Sequence, residues 1–133
     1  MISELISEED IAGLVPVFYG RVRKDPMLGP IFNGAIEDWP EHIEKLRAFW
    51  SSVMLGSGRY KGQPMPAHAR HADQISSATF VRWLQLWSET TGELLSPEAA
   101  AVIQEKARRI AESLALGIDY YKRRQAEPAV VPD

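Results

Sequence analysis

The sequence predicts an all-α fold, and three observations carry that prediction. Apolar residues recur at spacings of three and four along most of the chain, while strand alternation is nearly absent. Helix-start signals, Ser or Asp followed by acidic residues or proline, precede the periodic stretches. Glycine and proline clusters separate those stretches, and no internal repeat or low-complexity tract interrupts them. With 133 residues, 45% hydrophobic and 25% charged, the chain suits one soluble domain built on one core. We expect that domain to cover residues 1–125, followed by a tail at residues 126–133 that holds two prolines.

Ser7-Glu8-Glu9-Asp10 reads as a helix start, with acids at the positive end of the helix dipole. Ile11, Leu14, Val15, Phe18 and Val22 form the stripe that follows. Pro16 falls inside it, where it lacks a donor and crowds the preceding turn. The pattern therefore predicts a short helix ending near Gly13 and a second starting near Val15, with Pro16 in its first turn. Asp25-Pro26 closes that helix and caps another, which Gly29-Pro30 limits to a turn or two over residues 26–32.

The strongest periodicity comes next. Trp39, His42, Ile43, Leu46, Phe49, Trp50, Val53 and Met54 occupy an arc of ~140° on a helical wheel, with His42 inside it. Glu41, Glu44, Lys45, Arg47 and Ser52 take the other side, so a helix is predicted over residues 38–55, stopping at Gly56-Ser57-Gly58. Residues 59–66 read as an irregular loop, and a short helical piece carrying His68 and His71 follows. Ser76-Ser77 opens a helix with Phe80, Trp83, Leu84 and Trp87 on one face, expected to end before Gly92. Ser96-Pro97-Glu98 opens the last, with Val102, Ile103, Ala107, Ile110, Leu114, Ile118 and Tyr121 as its stripe. Lys122, Arg123 and Arg124 suit its negative end.

Composition removes several functional classes. The absence of cysteine excludes a disulfide scaffold, a thiolate nucleophile and Cys-ligated metal. A net charge of −3 argues against a nucleic-acid partner. No apolar run approaches the ~20 residues of a membrane span, and the acidic N-terminus is unlike a signal peptide, so we expect no membrane partner and a cytoplasmic location. There is no Gly-rich phosphate loop and no strand-to-helix elbow for a catalytic serine. Carboxylates such as Glu8-Glu9 and Glu37-Asp38 sit at helix starts, where surface charge explains them; no catalytic residue is assigned.

The histidines carry more. His42 shares its stripe with Trp39, Leu46, Phe49 and Trp50, so its imidazole needs either a hydrogen-bond partner or something in a cavity to face. His42, His68 and His71 form a conceivable zinc set, though no acidic residue stands at a spacing that completes it. The other reading is a large, flat, apolar ligand between the helices, which would account for twelve aromatic residues in a short chain. Haem answers that description, needing one neutral imidazole on iron and a sheltered opposite face. Tyr19, about 100° round the wheel from Phe18, can offer its O–H to that face, as can a buried tryptophan its N–H.

Phe18-Tyr19, residues 25–32 (Asp-Pro-Met-Leu-Gly-Pro-Ile-Phe), Trp39-Pro40-Glu41-His42, Phe49-Trp50, residues 60–64 (Tyr-Lys-Gly-Gln-Pro), His68, Phe80 and Trp83-Leu84 occur in an order that closely resembles the group III truncated haemoglobins of bacteria. The resemblance runs from about residue 8 to 120. It implies a two-over-two helical sandwich enclosing haem b, with His68 as the proximal iron ligand. It further implies Tyr19, His42 and Trp83 as the polar residues of the distal pocket, with Phe32 and Leu46 as apolar haem contacts. Trp50 is a further candidate for the cavity wall, and Lys45 for a haem propionate. His71 falls where relatives commonly carry an apolar residue and stands as a second candidate iron ligand. Trp87 is read as core, and Tyr60 as packing that closes the loop.

The function that follows is binding of oxygen, nitric oxide or peroxide. Two hydrogen-bond donors in a dry pocket, each contributing on the order of 1–3 kcal/mol, would hold a polar oxygen ligand tightly. Slow release argues against simple delivery and for nitric oxide dioxygenase or peroxidase-like chemistry. No flavin or nicotinamide motif is present, so turnover requires an external reductase. His42 is placed as a gate toward solvent, and the chain is expected to be a monomer or weak dimer. The alternative is a haem-free helical sensor or partner-binding module of globin fold.

Overall fold

The computed structural model describes residues 2–64, 68 and 71–126. Among the described residues it holds six helices and no strand: α1 (Ile2–Leu5), α2 (Glu8–Lys24), α3 (Leu28–Ala35), α4 (Trp39–Leu55), α5 (Ser77–Leu94) and α6 (Pro97–Ala126). The caps are those the sequence offers. Ser7 accepts from the Asp10 N–H while the Asp10 carboxylate accepts from the Ser7 N–H. Asp38 caps α4, and Gly56 ends it with a φ of 64° that favours glycine. Ser76 and Thr79 form the reciprocal box on α5, and the Ser96 hydroxyl accepts from the Ala99 N–H at the start of α6.

Several expectations are corrected. α2 is one helix that runs through Pro16, with no break near Gly13. A proline cannot donate to the carbonyl four residues back, here that of Ala12. Arg47 of α4 takes the vacant role, donating from Nε and a terminal nitrogen to the Ala12 oxygen at 3.2 and 3.1 Å. α3 continues past residue 32 to Ala35, because Pro30 lies in its first turn, where a missing N–H leaves nothing unsatisfied. Its close approach to α2 depends on Gly29, where a Cβ would stand 2.7 Å from the Arg23 carbonyl oxygen. α5 passes through Gly92 to Leu94. Fully buried Thr90 and Thr91 donate their hydroxyls to the Leu86 and Trp87 carbonyls, and packing of that face outweighs the glycine cost of about 1 kcal/mol. On α6, Tyr121 is exposed rather than part of the stripe, while Ala99, Ala100 and Ala111 are buried and join it. Helix α1 was not expected from the sequence.

The expected tail lies outside the described residues from position 127 onward, and Ala126 ends α6. Most of the expected helical piece, at residues 65–67, 69 and 70, also lies outside them.

α2 packs against α3, α4 and α5, α6 lies along α5, and α1 touches α4 and α6. The pair α2 with α4 thus meets the pair α5 with α6 in the expected two-over-two sandwich. At the meeting, Phe18 of α2 sits edge-on to both Trp83 and Trp87 of α5, at 5.4 and 4.7 Å between ring centres. Trp50 of α4 stacks on Trp87 at 4.4 Å and 20°. Trp87 is fully buried and donates its indole N–H to the Ile103 carbonyl on α6. Two polar ties reinforce the contact of α2 with α5: Arg21 to Thr90 and Glu93, and the Asp25–Arg82 pair.

Candidate functional site

The capping and packing above turn one group of side chains toward a common region between α2, α3, α4, α5 and the segment bearing His68. Tyr19 follows core residue Phe18 on α2 and is itself 4% exposed. Its ring neighbours Phe18 at 4.7 Å, Phe32 of α3 at 6.0 Å and Trp39 of α4 at 6.4 Å. Trp83 neighbours the phenol, and since an indole only donates, its influence favours the Tyr19 oxygen as acceptor. Burial pushes the phenol pKa well above its ordinary value of 10, and the Trp83 indole opposes this only in part. Tyr19 therefore keeps its proton and remains a donor at any physiological pH.

His42 lies half-buried one turn into α4, edge-on to Trp39 at 5.9 Å. Its pKa is lowered, first by burial and then by the Lys45 and His68 charges, with Glu41 pulling the other way. The ring is therefore neutral at pH 7. His68 is half-buried, with Nδ1 2.7 Å from the Pro64 carbonyl oxygen. A carbonyl only accepts, so Nδ1 carries a hydrogen, and in the neutral ring the lone pair falls to Nε2. That is the tautomer a metal ion requires, with the ring oriented by its second nitrogen. His71 is half-buried, and its backbone N–H donates to the His68 carbonyl.

Helix α4 presents two apolar sides. Trp50, Ser51 and Met54 are buried in the core, whereas Leu46, Phe49 and Val53 are half-buried, as are Phe32, Phe80, Trp83 and Leu84 on the neighbouring helices. The sequence grouped Trp50 with the cavity wall. In the structure Trp50 is fully buried, with its ring nearly parallel to that of Trp83 at 6.5 Å and 15°. Lys45 is exposed and pairs with Glu41 at 3.4 Å. Tyr60 packs edge-on to Phe49 at 5.2 Å, and its N–H donates to Ser52.

Sequence reasoning missed two supports of this region. Asp25 holds the start of α3 through the Met27 and Leu28 N–H groups and also binds Arg82, the neighbour of Trp83. The loop after α4 is pinned by Ser51, which donates to Glu8 and bonds Ser57, and by Arg59, which reaches Glu8 at 2.8 Å. Asp25 was visible as a cap, but nothing in a linear pattern pairs it with position 82.

The residues present fit haem. An imidazole anchored through Nδ1 on a backbone carbonyl, half-buried apolar side chains on facing helices, and a protonated phenol beside an indole make the donor set and lining that such a group needs. Among the described residues no helix is long and apolar enough to cross a membrane.

Comparison with known proteins agrees with this geometry. The family profile for bacterial-like globins matches residues 3–116. The chain is 41% identical over 112 residues to a Group 3 truncated hemoglobin of Campylobacter jejuni subsp. jejuni, covering 81% of this chain and 87% of that protein. It is also similar to the crystal structure of a group III truncated hemoglobin from Campylobacter jejuni, with a TM-score of 0.77 and 39% identity over 86% of this chain and 93% of the other. An all-helical two-over-two fold, a family profile over most of the chain and these relatives agree: the chain belongs to the bacterial-like globins, as a group III truncated haemoglobin, a family whose function is haem-based binding of small ligands.

Proposed function

We propose that the chain binds haem b through His68, retains oxygen tightly and uses it against nitric oxide. Nitric oxide and dioxygen combine with one electron to give nitrate, and a separate reductase supplies the electron. Peroxide is the alternative small substrate. When bound, haem supplies an iron with one open coordination position for a diatomic ligand.

The observation that carries the reading is Tyr19. Its phenol is buried, protonated and neighboured by Trp83, so its O–H is the donor available to a polar ligand. The sequence suggested that Tyr19 and Trp83 donate side by side. The contact between them favours a chain instead, in which Trp83 polarises the Tyr19 O–H and strengthens its donation. Neutral His42 stands between this pocket and solvent without bringing a charge into it. Phe32 and Leu46 supply apolar walls, and the Trp50 ring lies nearly parallel to that of Trp83. Lys45 reaches a propionate from the exposed side of α4, His71 remains outside the iron site, and the protein works as a monomer or weak dimer.

The test is the rate of oxygen release from Tyr19→Phe. One charge-assisted hydrogen bond lost in a dry pocket corresponds to a rise of about ten-fold or more. An unchanged rate removes Tyr19 from this role.

A further inference from the structure

Three elements meet on the Asp25 carboxylate. Asp25 caps the C-terminus of α2, and its two oxygens serve different neighbours. Oδ2 accepts from the Met27 and Leu28 N–H groups at 3.1 and 3.0 Å, which fixes the start of α3. Oδ1 accepts from Arg82 of α5, from Nε at 2.8 Å and from a terminal nitrogen at 2.7 Å. The Asp25 side chain is 3% exposed, so water competes little for these bonds. An ion pair open to solvent on both sides would hold its partners far more loosely.

The same three elements carry three side chains of the pocket: α2 carries Tyr19, α3 Phe32 and α5 Trp83. α3 has further ties to α2, since Asn33 donates to the Arg23 carbonyl and Gly29 lets the backbones approach. The second half of α5 is tied to α2 by Arg21, which reaches Thr90 and Glu93. Arg82 ties the first half, roughly 12 Å along the helix axis from Thr90. Adjacent residues on a helix point about 100° apart, so drawing Arg82 onto Asp25 sets the angle at which Trp83 emerges. Trp83 needs such a setting. It is half-buried, whereas Trp50 and Trp87 are enclosed by the core, and Trp87 is fixed further by its N–H on Ile103.

We propose that Arg82, anchored by Asp25, is a positioning residue of the pocket: it places the Trp83 indole against the Tyr19 phenol. It thereby tunes how strongly Tyr19 donates to a bound ligand. The proposal rests on the reading of Tyr19 as the ligand's donor. A pair that only stabilised the fold would change Tm and leave the indole and the ligand's bond untouched.

The experiment compares Arg82→Met with the native protein as the haem-loaded full chain carrying carbon monoxide. The Trp83 indole N–H resonance, assigned through Trp83→Phe, is expected to shift while those of Trp50 and Trp87 stay in place. The C–O stretching band is expected to move to higher frequency, the direction of a weaker hydrogen bond. Oxygen release should rise roughly three-fold, less than for Tyr19→Phe, because the donor is displaced rather than removed. In the Tyr19→Phe background, Arg82→Met should add nothing to the release rate. Arg82→Lys keeps the charge and should give a smaller change in each readout. Arg82→Met leaves a buried carboxylate unpaired, which can unfold a protein. The double variant Asp25→Asn/Arg82→Met removes that charge, keeps an acceptor for α3, and should show the same shifts. An unmoved Trp83 resonance or C–O band overturns the proposal alone, as does equal acceleration with and without the Tyr19 hydroxyl. An unchanged release rate in Tyr19→Phe overturns the pocket reading and the proposal with it.

Discussion

The Asp25 carboxylate is almost sealed from water, yet it accepts from two backbone N–H groups and from Arg82. The Arg82 bond holds its pKa below the usual carboxylate value of 3.8, helped by the two backbone donors and opposed by burial. The sign of the linkage follows. This stability is fully present above the unfolded pKa and is lost as pH falls through the lower folded value. Urea denaturation across pH 2.5–7 should therefore show stability falling below about pH 4, and Asp25→Asn should flatten that fall. At pH 7 the same substitution should cost about 1 kcal/mol or more, from hydrogen bonds to a charge replaced by weaker ones. An unchanged acid limb would show that the pair contributes nothing to the pH dependence. The cap could be read from Asp25-Pro26, because caps are local. Arg82 could not, because a contact across 57 positions leaves no trace in periodicity. The same limit applies to Tyr19: its inward placement was readable from the wheel, but the Trp83 indole beside it was not.

Helix α2 shows how one element corrects another. Pro16 deprives Ala12 of its partner, and Arg47 supplies the missing donor from α4. A double-mutant cycle measures this directly. Arg47→Ala should cost about 1 kcal/mol in the native background and less beside Pro16→Ala, where the helix regains its own N–H. Equal costs in both backgrounds would mean that the guanidinium is not compensating for the proline. This explains why α4 was legible to the residue and α2 was not. Both ends of α4 carry backbone signals, Asp38 at one and left-handed Gly56 at the other. The continuity of α2 depends on a side chain thirty-five positions away. Gly92 misled for a related reason, since the buried threonines that carry α5 past it act through tertiary packing.

At the scale of the molecule, periodicity gave an all-helical chain, but the pairing of helices came from motif resemblance and was then seen in the packing. Half-buried Leu46, Phe49, Phe80 and Trp83 offer apolar surface that a bound group would cover. Haem should thus stabilise the fold by mass action, about 2.7 kcal/mol at a hundred-fold excess over Kd, which is roughly a 10 °C gain in Tm. Thermal scans of His68→Ala with and without haemin check the ligand as well: most of that gain should vanish, and a full gain would move the ligand role to His71 or His42. The tryptophans carry one more consequence. Trp50, Trp83 and Trp87 lie within 4.4–6.5 Å of one another, with planes inclined by 20° or less. Indoles so close and so nearly parallel do not absorb ultraviolet light independently, because their transition dipoles couple. Trp83 and Trp87 share α5, so the part of that coupling which involves Trp50 should exist only while α4 and α5 are docked, and this makes the packing of the sandwich an optical property of the chain.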